Sequence, residues 1–164
     1  MPSETLRRSV RALIVDDSDR LLLGRHALVD PPGSAVWAAP GGGVEGEESD
    51  LETLRRELRE EVGLVVEEDP PLVWRQVVRS RGLSAGYDGI ANEYFLLRTS
   101  SFNPRGALSD AELTREHLEE MRWWSIADLG SYRGTDLFSP RDLKQRFSTL
   151  LHDGVPDEPT NLTL

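Results

Sequence analysis

Residues 42–64 read GGVEGEESDLETLRRELREEVGL, and the rest of the chain is read outward from them. A glycine cluster, Gly41, Gly42 and Gly43, runs into an acidic segment. Ser49 and Glu52 then stand at capping-box spacing, where the serine can accept from the Glu52 amide and Glu52 can reach back. Leu51, Leu54, Leu58 and Val62 follow at intervals of three and four, one apolar stripe on a helix. Gly63 supplies a left-handed stop. These signals predict a helix over residues 50–62.

A helix turns about 100° per residue, so Glu57, Glu60 and Glu61 fall within an arc of about 100° beside the apolar stripe. Three carboxylates this close repel one another unless a cation lies between them. Magnesium takes hard oxygen ligands, typically a few carboxylates together with substrate phosphates. Arg56, four residues from both Glu52 and Glu60, can hold a glutamate in place through a charge-assisted bond. The competing reading is a solvated face laced with Arg–Glu pairs, since Arg55, Arg56 and Arg59 alternate with the acids. Residues 56–61 alone favour that second reading; their surroundings favour the first.

The whole stretch resembles the signature of the Nudix hydrolase family. That signature is Gly, five residues, Glu, seven residues, then Arg-Glu-apolar-x-Glu-Glu-x-Gly-apolar. Gly42, Glu48, Arg56, Glu57, Leu58, Glu60, Glu61, Gly63 and Leu64 occupy every fixed position. One local departure is visible: many members have Gly-Glu where this chain has Glu47-Glu48, and here the glycine comes one place earlier, at Gly46.

The resemblance implies an α/β/α sandwich, a mixed β-sheet flanked by helices, with the signature forming loop–helix–loop. It also implies hydrolysis of a nucleoside diphosphate linked to another moiety, with Mg²⁺ or Mn²⁺ as cofactor. Glu57 and Glu61 are the leading metal ligands on this basis. Glu60 is a third ligand or positions the attacking water, the carbonyl near Gly42 can coordinate, and Glu48 is an outer candidate. Arg56 orients Glu57. Gly42 and Gly43 shape the phosphate approach. Trp37, just before them, is either core packing or a platform for a base. In some relatives the general base lies in a later strand or loop. Glu93 is the leading extra candidate, with Glu112, Glu116 and His117 behind it, each better explained as surface. His26 and His152 are read as structural or exposed.

Composition narrows the partners. The 164 residues suit one domain with a real core, residues 1–164, ending in a loosely docked tail at 155–164. A formal charge of −10 opposes long nucleic acids. A small nucleotide stays accessible, because a bound metal inverts the local charge. The chain has no cysteine, which excludes disulfides, thiolate metal sites and cysteine nucleophiles. It also sets aside isopentenyl diphosphate isomerase, which shares the fold and uses a cysteine in its main type. The N-terminus lacks the apolar core of a signal peptide and no run approaches membrane-span length, so a cytoplasmic protein without a membrane partner is expected. Many relatives form homodimers, although no interface is legible here.

Elsewhere, residues 9–15 and 21–23 predict a hairpin around a solvated turn at 16–20. Residues 37–39, 64–67, 72–79, 93–99 and 121–124 predict strands. Ser125 begins a short helical turn, and Ser139 with Pro140 predicts the cap and first position of a final helix. Loops at 27–36, 79–91 and 100–116 are the expected recognition elements, with Trp74, Tyr87 and Phe102 as aromatic candidates. A nucleotide-binding module of the same fold without turnover is the alternative from a different functional class.

Overall fold

The computed structural model describes residues 4–29, 31–79 and 86–162. Among these described residues, nine strands form one mixed sheet: β1 (Leu6–Val15), β2 (Leu21–Ala27), β3 (Ala35–Ala38), β4 (Gly41–Gly43), β5 (Leu72–Arg79), β6 (Gly89–Arg98), β7 (Leu118–Trp124), β8 (Leu137–Ser139) and β9 (Thr160–Asn161). The helices are α1 (Asp50–Glu61), α2 (Asp110–Arg115), α3 (Ile126–Ser131) and α4 (Leu143–Asp153). The strand path is β8-β3-β2-β1-β6-β5-β9, with β4 paired to β1 and β7 to β2. No helix among the described residues is long and apolar enough to cross a membrane.

β1 is central, and its side chains alternate between two cores. Val10, Ala12 and Ile14 meet Leu54, Leu58 and Val62 of α1 on one face. Leu13 and Val15 meet Leu143, Phe147 and Leu150 of α4 on the other, together with Trp37, Trp74, Tyr94 and Trp124. A strand buried on both faces reads as a continuous apolar run, which is how residues 12–15 appear in the sequence. The result is the expected α/β/α sandwich. β1 meets β2 only at its far end, Val15 opposite Leu21, and meets β4 near its start, at Ser9 to Arg11. This fork brings the glycine strand onto the edge of β1 beneath α1.

The hairpin turn is less solvated than the sequence suggested, because Asp16 is buried. Its Oδ1 accepts from the amides of Ser18 (3.0 Å) and Arg20 (2.8 Å), and its Oδ2 from Arg20 Nε (2.9 Å) and Ser101 Oγ (2.7 Å). Other expectations are corrected. Residues 64–67 form no strand; Leu64 and Val66 pack under α1 while the Val66 carbonyl accepts from Arg55 Nε at 3.1 Å. Ser139 does not cap the last helix. It ends β8, which pairs in parallel with β3, and α4 starts three residues after Pro140. The segment expected as a loose tail adds β9 beside β5 and buries Leu162, whose amide donates to the Arg75 carbonyl at 2.7 Å. The expected loops at 27–36 and 79–91 lie partly outside the described residues.

Candidate active site

α1 is held by what it buries. Leu54 and Leu58 are fully enclosed, and truncating such a leucine costs about 2–5 kcal/mol. An exposed ion pair contributes at most about 1 kcal/mol, so the stripe and not the surface ladder fixes the helix. Its start is the predicted capping box, with Ser49 Oγ accepting from the Glu52 amide and Glu52 Oε1 from the Ser49 amide, both at 3.2 Å. Its end is Gly63, at φ 77°, whose amide donates to the Leu58 carbonyl at 2.8 Å.

With the stripe against the sheet, the neighbouring acids are drawn inward. Glu57 is 8% exposed and Glu61 5%. The Glu57 carboxylate lies on the backbone of Gly42: a Cβ built there would stand 2.4 Å from Oε1. Glu57 and Glu61 lie close enough for each carboxyl to act on the other's charge. Burial pushes the Glu57 carboxyl above the ordinary range, and Glu60 adds to this against the pull of Arg56. Burial, and then the Glu57 charge, pushes Glu61 up further.

Arg56 binds the site together. Its Nε and Nη2 donate to the two oxygens of Glu48, each at 2.9 Å. Nη1 donates to Glu57 Oε1 at 3.0 Å and to Glu60 Oε2 at 3.5 Å, while Nη2 also reaches the Gly43 carbonyl at 3.2 Å. Arg56 holds the Glu48 carboxyl down at about 2. The displaced glycine is accommodated: Gly46, at φ 54°, makes a turn in which the Glu45 amide meets Glu48 Oε1 at 3.0 Å. Glu48 thereby reaches Arg56.

The structure therefore brings together Gly42, Gly43, Glu48, Arg56, Glu57, Glu60 and Glu61. The carboxylates do not converge equally, since Glu60 turns toward Arg56 and Glu48 is engaged on both oxygens. Among the described residues, no three His, Cys, Asp or Glu side chains are grouped so as to hold a metal. The donor set that remains is the buried Glu57–Glu61 pair. Two hard oxygen donors forced together suit a divalent cation whose other positions go to water and phosphate.

Trp37, read as either core packing or a platform for a base, is packed in the core. Its ring meets Trp124 edge-on at 5.0 Å and its Nε1 donates to Asp136 Oδ2 at 3.0 Å. Glu93 stands near the start of α1. Hydrogen bonding to Asp50, then burial, raises its carboxyl, and Arg75 Nε lies at 3.4 Å. Gly42 and Glu93 both pair with Val10, so two inter-strand steps, about 10 Å, separate their backbones.

A second acidic wall arises from α2, which the sequence reading missed although Ser109 and Glu112 carry the same capping-box spacing as α1. The Ala107 and Leu108 amides donate to the carbonyls of Arg59 and Glu60, both at 3.0 Å. Gly106 permits this approach, because a Cβ there would stand 2.2 Å from the Glu60 carbonyl oxygen. The helix then returns Glu116 toward the rim, where burial and the Glu60 charge raise its carboxyl. His26 lies beneath and bonds the Glu116 backbone; burial, then Arg11, lowers its ring to about 4. Arg7 was also missed: its guanidinium lies on Gly43, where a Cβ would stand 2.4 Å from Nη2.

The NUDIX domain pattern matches residues 5–147, which include the whole of this site. The chain belongs to the NUDIX family. It is 29% identical over 160 residues to an RNA pyrophosphohydrolase of Gluconacetobacter diazotrophicus, covering 90% of each chain. An RNA pyrophosphohydrolase of Halorhodospira halophila is 45% identical over 62 residues, which span 38% of this chain and 32% of that one. Among solved structures, the MutT protein of Methanosarcina mazei superposes with TM-score 0.62 at 22% identity, covering 90% of this chain and 96% of that one. The NUDIX domain of Shewanella oneidensis NrtR, complexed with ADP ribose, gives 0.63 at 17% identity, covering 92% and 90%. At those identities the two structures establish the NUDIX fold. Family and fold together support hydrolysis of a pyrophosphate-containing substrate as the general chemistry.

Proposed function

We propose that this NUDIX chain hydrolyses a pyrophosphate bond in a nucleoside diphosphate linked to another moiety, by attack of water on phosphorus, with Mg²⁺ or Mn²⁺ as cofactor. The observation that carries the reading is the buried Glu57–Glu61 pair set against the bare backbone of Gly42. Glu57 and Glu61 would hold the cation, with the Gly42 carbonyl beside them. When bound, a divalent cation neutralises charge on the bridging phosphates and lowers the pKa of a coordinated water.

The chain's own residues supply the rest. Arg56 fixes Glu57 and Glu48 relative to the glycine strand. Gly42 and Gly43 let phosphates approach the backbone. Glu60 faces the rim and can take the proton of the attacking water; Glu93 and Glu116 are the alternatives for that role. The Glu57 and Glu61 carboxyls, both raised by burial, must be ionised to hold a cation, which ties activity to pH.

The test is a substrate panel with Mg²⁺ and with Mn²⁺, read by product identification. It contains nucleoside triphosphates including oxidised dGTP, ADP-ribose and nucleotide sugars. It also contains a 5′-triphosphorylated oligoribonucleotide, because two similar proteins carry the name RNA pyrophosphohydrolase. Metal-dependent product from at least one of these is expected, and Glu57→Gln or Glu61→Gln should lower turnover by at least about 100-fold. Full activity in both variants overturns the residue assignment. Stable nucleotide binding without product from any substrate would make the chain a binding module instead.

A further inference from the structure

We propose that Asp16 is a positioning residue: through Ser101 it anchors the segment that sets α2, and with it Glu116, against the last turn of α1. This rests on the hydrolase reading above and concerns how the rim of that same site is held in place.

α2 has little packing of its own to fix it. None of its residues is buried. A cavity of about 520 Å³ lies behind it, with Leu113 and Thr114 on the helix side and Ala27 and Leu118 on the sheet side. A helix of one and a half turns that buries no apolar face takes its place from its two ends. Its C-terminal end is tied to β2, where the Ala27 amide donates to the His117 carbonyl at 2.9 Å. Its N-terminal end depends on residues 99–108, which contain no helix or strand.

That segment is pinned along its length. The Thr99 amide donates to the Val15 carbonyl at 3.0 Å. Ser101 Oγ donates to Asp16 Oδ2 at 2.7 Å. Phe102 packs edge-on against Trp123 at 5.5 Å, and its carbonyl accepts from Trp123 Nε1 at 3.2 Å. The Ala107 and Leu108 amides then meet the carbonyls of Arg59 and Glu60, which the end of a helix leaves without partners of its own. One stretch of chain thus closes α1 and starts α2, so its placement sets Glu116 relative to Glu60.

The pin at Asp16 is the stiffest of these. Asp16 is 1% exposed, and a buried carboxylate short of a donor is far less favourable than an ordinary lost hydrogen bond. Ser18 and Arg20, which also donate to it, belong to the same hairpin turn; Ser101 alone reaches it from outside. Arg20 lies 6.0 Å over the Trp123 ring and donates from Nη2 to Ser101 Oγ at 3.1 Å, which locks the hydroxyl between acid and base. Glu57 and Glu61 are placed by other means, the Leu54 and Leu58 stripe and Arg56. Loosening residue 101 therefore displaces the α2 wall and leaves the carboxylate pair where it is.

The experiment compares the full chain with Ser101→Ala, Ser101→Thr, Asp16→Asn and the Asp16→Asn/Ser101→Ala double variant. Hydrogen exchange at the Ala107 and Leu108 amides should quicken by about tenfold in Ser101→Ala, with exchange in β1 unchanged. On whichever of ADP-ribose, oxidised dGTP and the 5′-triphosphorylated oligoribonucleotide the parent cleaves with Mg²⁺, kcat should fall about tenfold. KM and calorimetric Mg²⁺ affinity should stay within about twofold. Ser101→Thr, which keeps the hydroxyl, should restore both exchange and kcat. The double variant should lose no more kcat than Asp16→Asn alone, as expected when one residue acts through the other. If Asp16→Asn does not fold, the two Ser101 variants decide. Parent-like exchange at 107 and 108 in Ser101→Ala overturns the proposal. So does a lower Tm with parent-like kcat, a loss of Mg²⁺ affinity as large as the loss of kcat, or a Ser101→Thr variant as slow as Ser101→Ala. If the parent cleaves none of the three substrates, the hydrolase reading fails by itself, and exchange at 107 and 108 alone decides whether Asp16 holds the wall.

Discussion

The carboxylate of Glu57 rests on the backbone of Gly42, so closely that a Cβ on residue 42 would stand 2.4 Å from Oε1 and 2.6 Å from the carboxyl carbon. The glycine of the NUDIX signature is thus a steric partner of Glu57, fifteen residues further along the chain, a contact that helical periodicity does not show. Gly42→Ala must displace Glu57 from Arg56 and from Glu61. Mg²⁺ affinity measured by calorimetry should fall by about 10–100-fold, with turnover falling in parallel, while thermal stability changes little. Unchanged metal affinity in this variant would separate Gly42 from the site.

Arg56 is predicted to be irreplaceable by lysine. One guanidinium serves both oxygens of Glu48 as well as Glu57 and the Gly43 carbonyl, and an ammonium cannot reproduce that fork. Arg56→Lys should lower kcat by more than it raises KM. Arg56→Ala should in addition lose up to about 3 kcal/mol in denaturant unfolding, because Glu57 is then left inside without its cation. Parent-like kinetics in Arg56→Lys would refute the positioning role.

The carboxylate pair predicts an unusual pH dependence for the metal-free chain. Both folded-state pKa values lie above the ordinary 4.5, that of Glu61 well above it. The folded state therefore binds these protons more tightly than the unfolded state does. The associated stability is fully present below about 4.5 and is lost as pH rises through the elevated range. Melting in chelator should show this decline, and Glu61→Gln should flatten it. Added Mg²⁺ should raise Tm more at mildly alkaline than at mildly acidic pH, since the cation competes with the protons. Equal Mg²⁺ stabilisation at both would contradict the assignment.

His26 acts in the opposite sense. Its ring is lowered from 6.5 to about 4 by burial first and Arg11 next. The unfolded chain takes up the proton first, so stability is lost as pH falls from about 6.5 through about 4. At the acid end this loss is of order 3 kcal/mol. His26→Gln should remove that slope in acid-unfolding curves followed by circular dichroism. Because His26 bonds the Glu116 backbone, hydrogen exchange at α2 should also quicken.

The contrast between α1 and α4 explains how legible the fold was. For α1, the capping box, the stripe and Gly63 are all local, and the helix ends within one residue of where they place it. For α4, Ser139 and Pro140 form an equally good local start. Parallel pairing of Leu137–Ser139 with β3 takes those residues into the sheet instead. A similar competition explains residues 64–67, whose alternation describes burial correctly but which find no strand edge to pair with. Two residues at Thr160–Asn161 carry no periodicity, so only the edge of β5 could reveal β9.

By itself the sequence determined the signature helix, the neighbouring carboxylates, Arg56 among them and the family to which the chain belongs. Each of these depends on spacing within about three turns, where helical geometry alone sets which side chains meet. Only the tertiary structure decided that Glu57 and Glu61 pair while Glu60 turns toward Arg56, and that Trp37 is core. It alone brought Glu116 toward Glu60 and Arg7 onto Gly43. Those relations depend on strand register and on close backbone approaches at Gly42, Gly43 and Gly106, which join segments far apart in the chain and leave no local pattern.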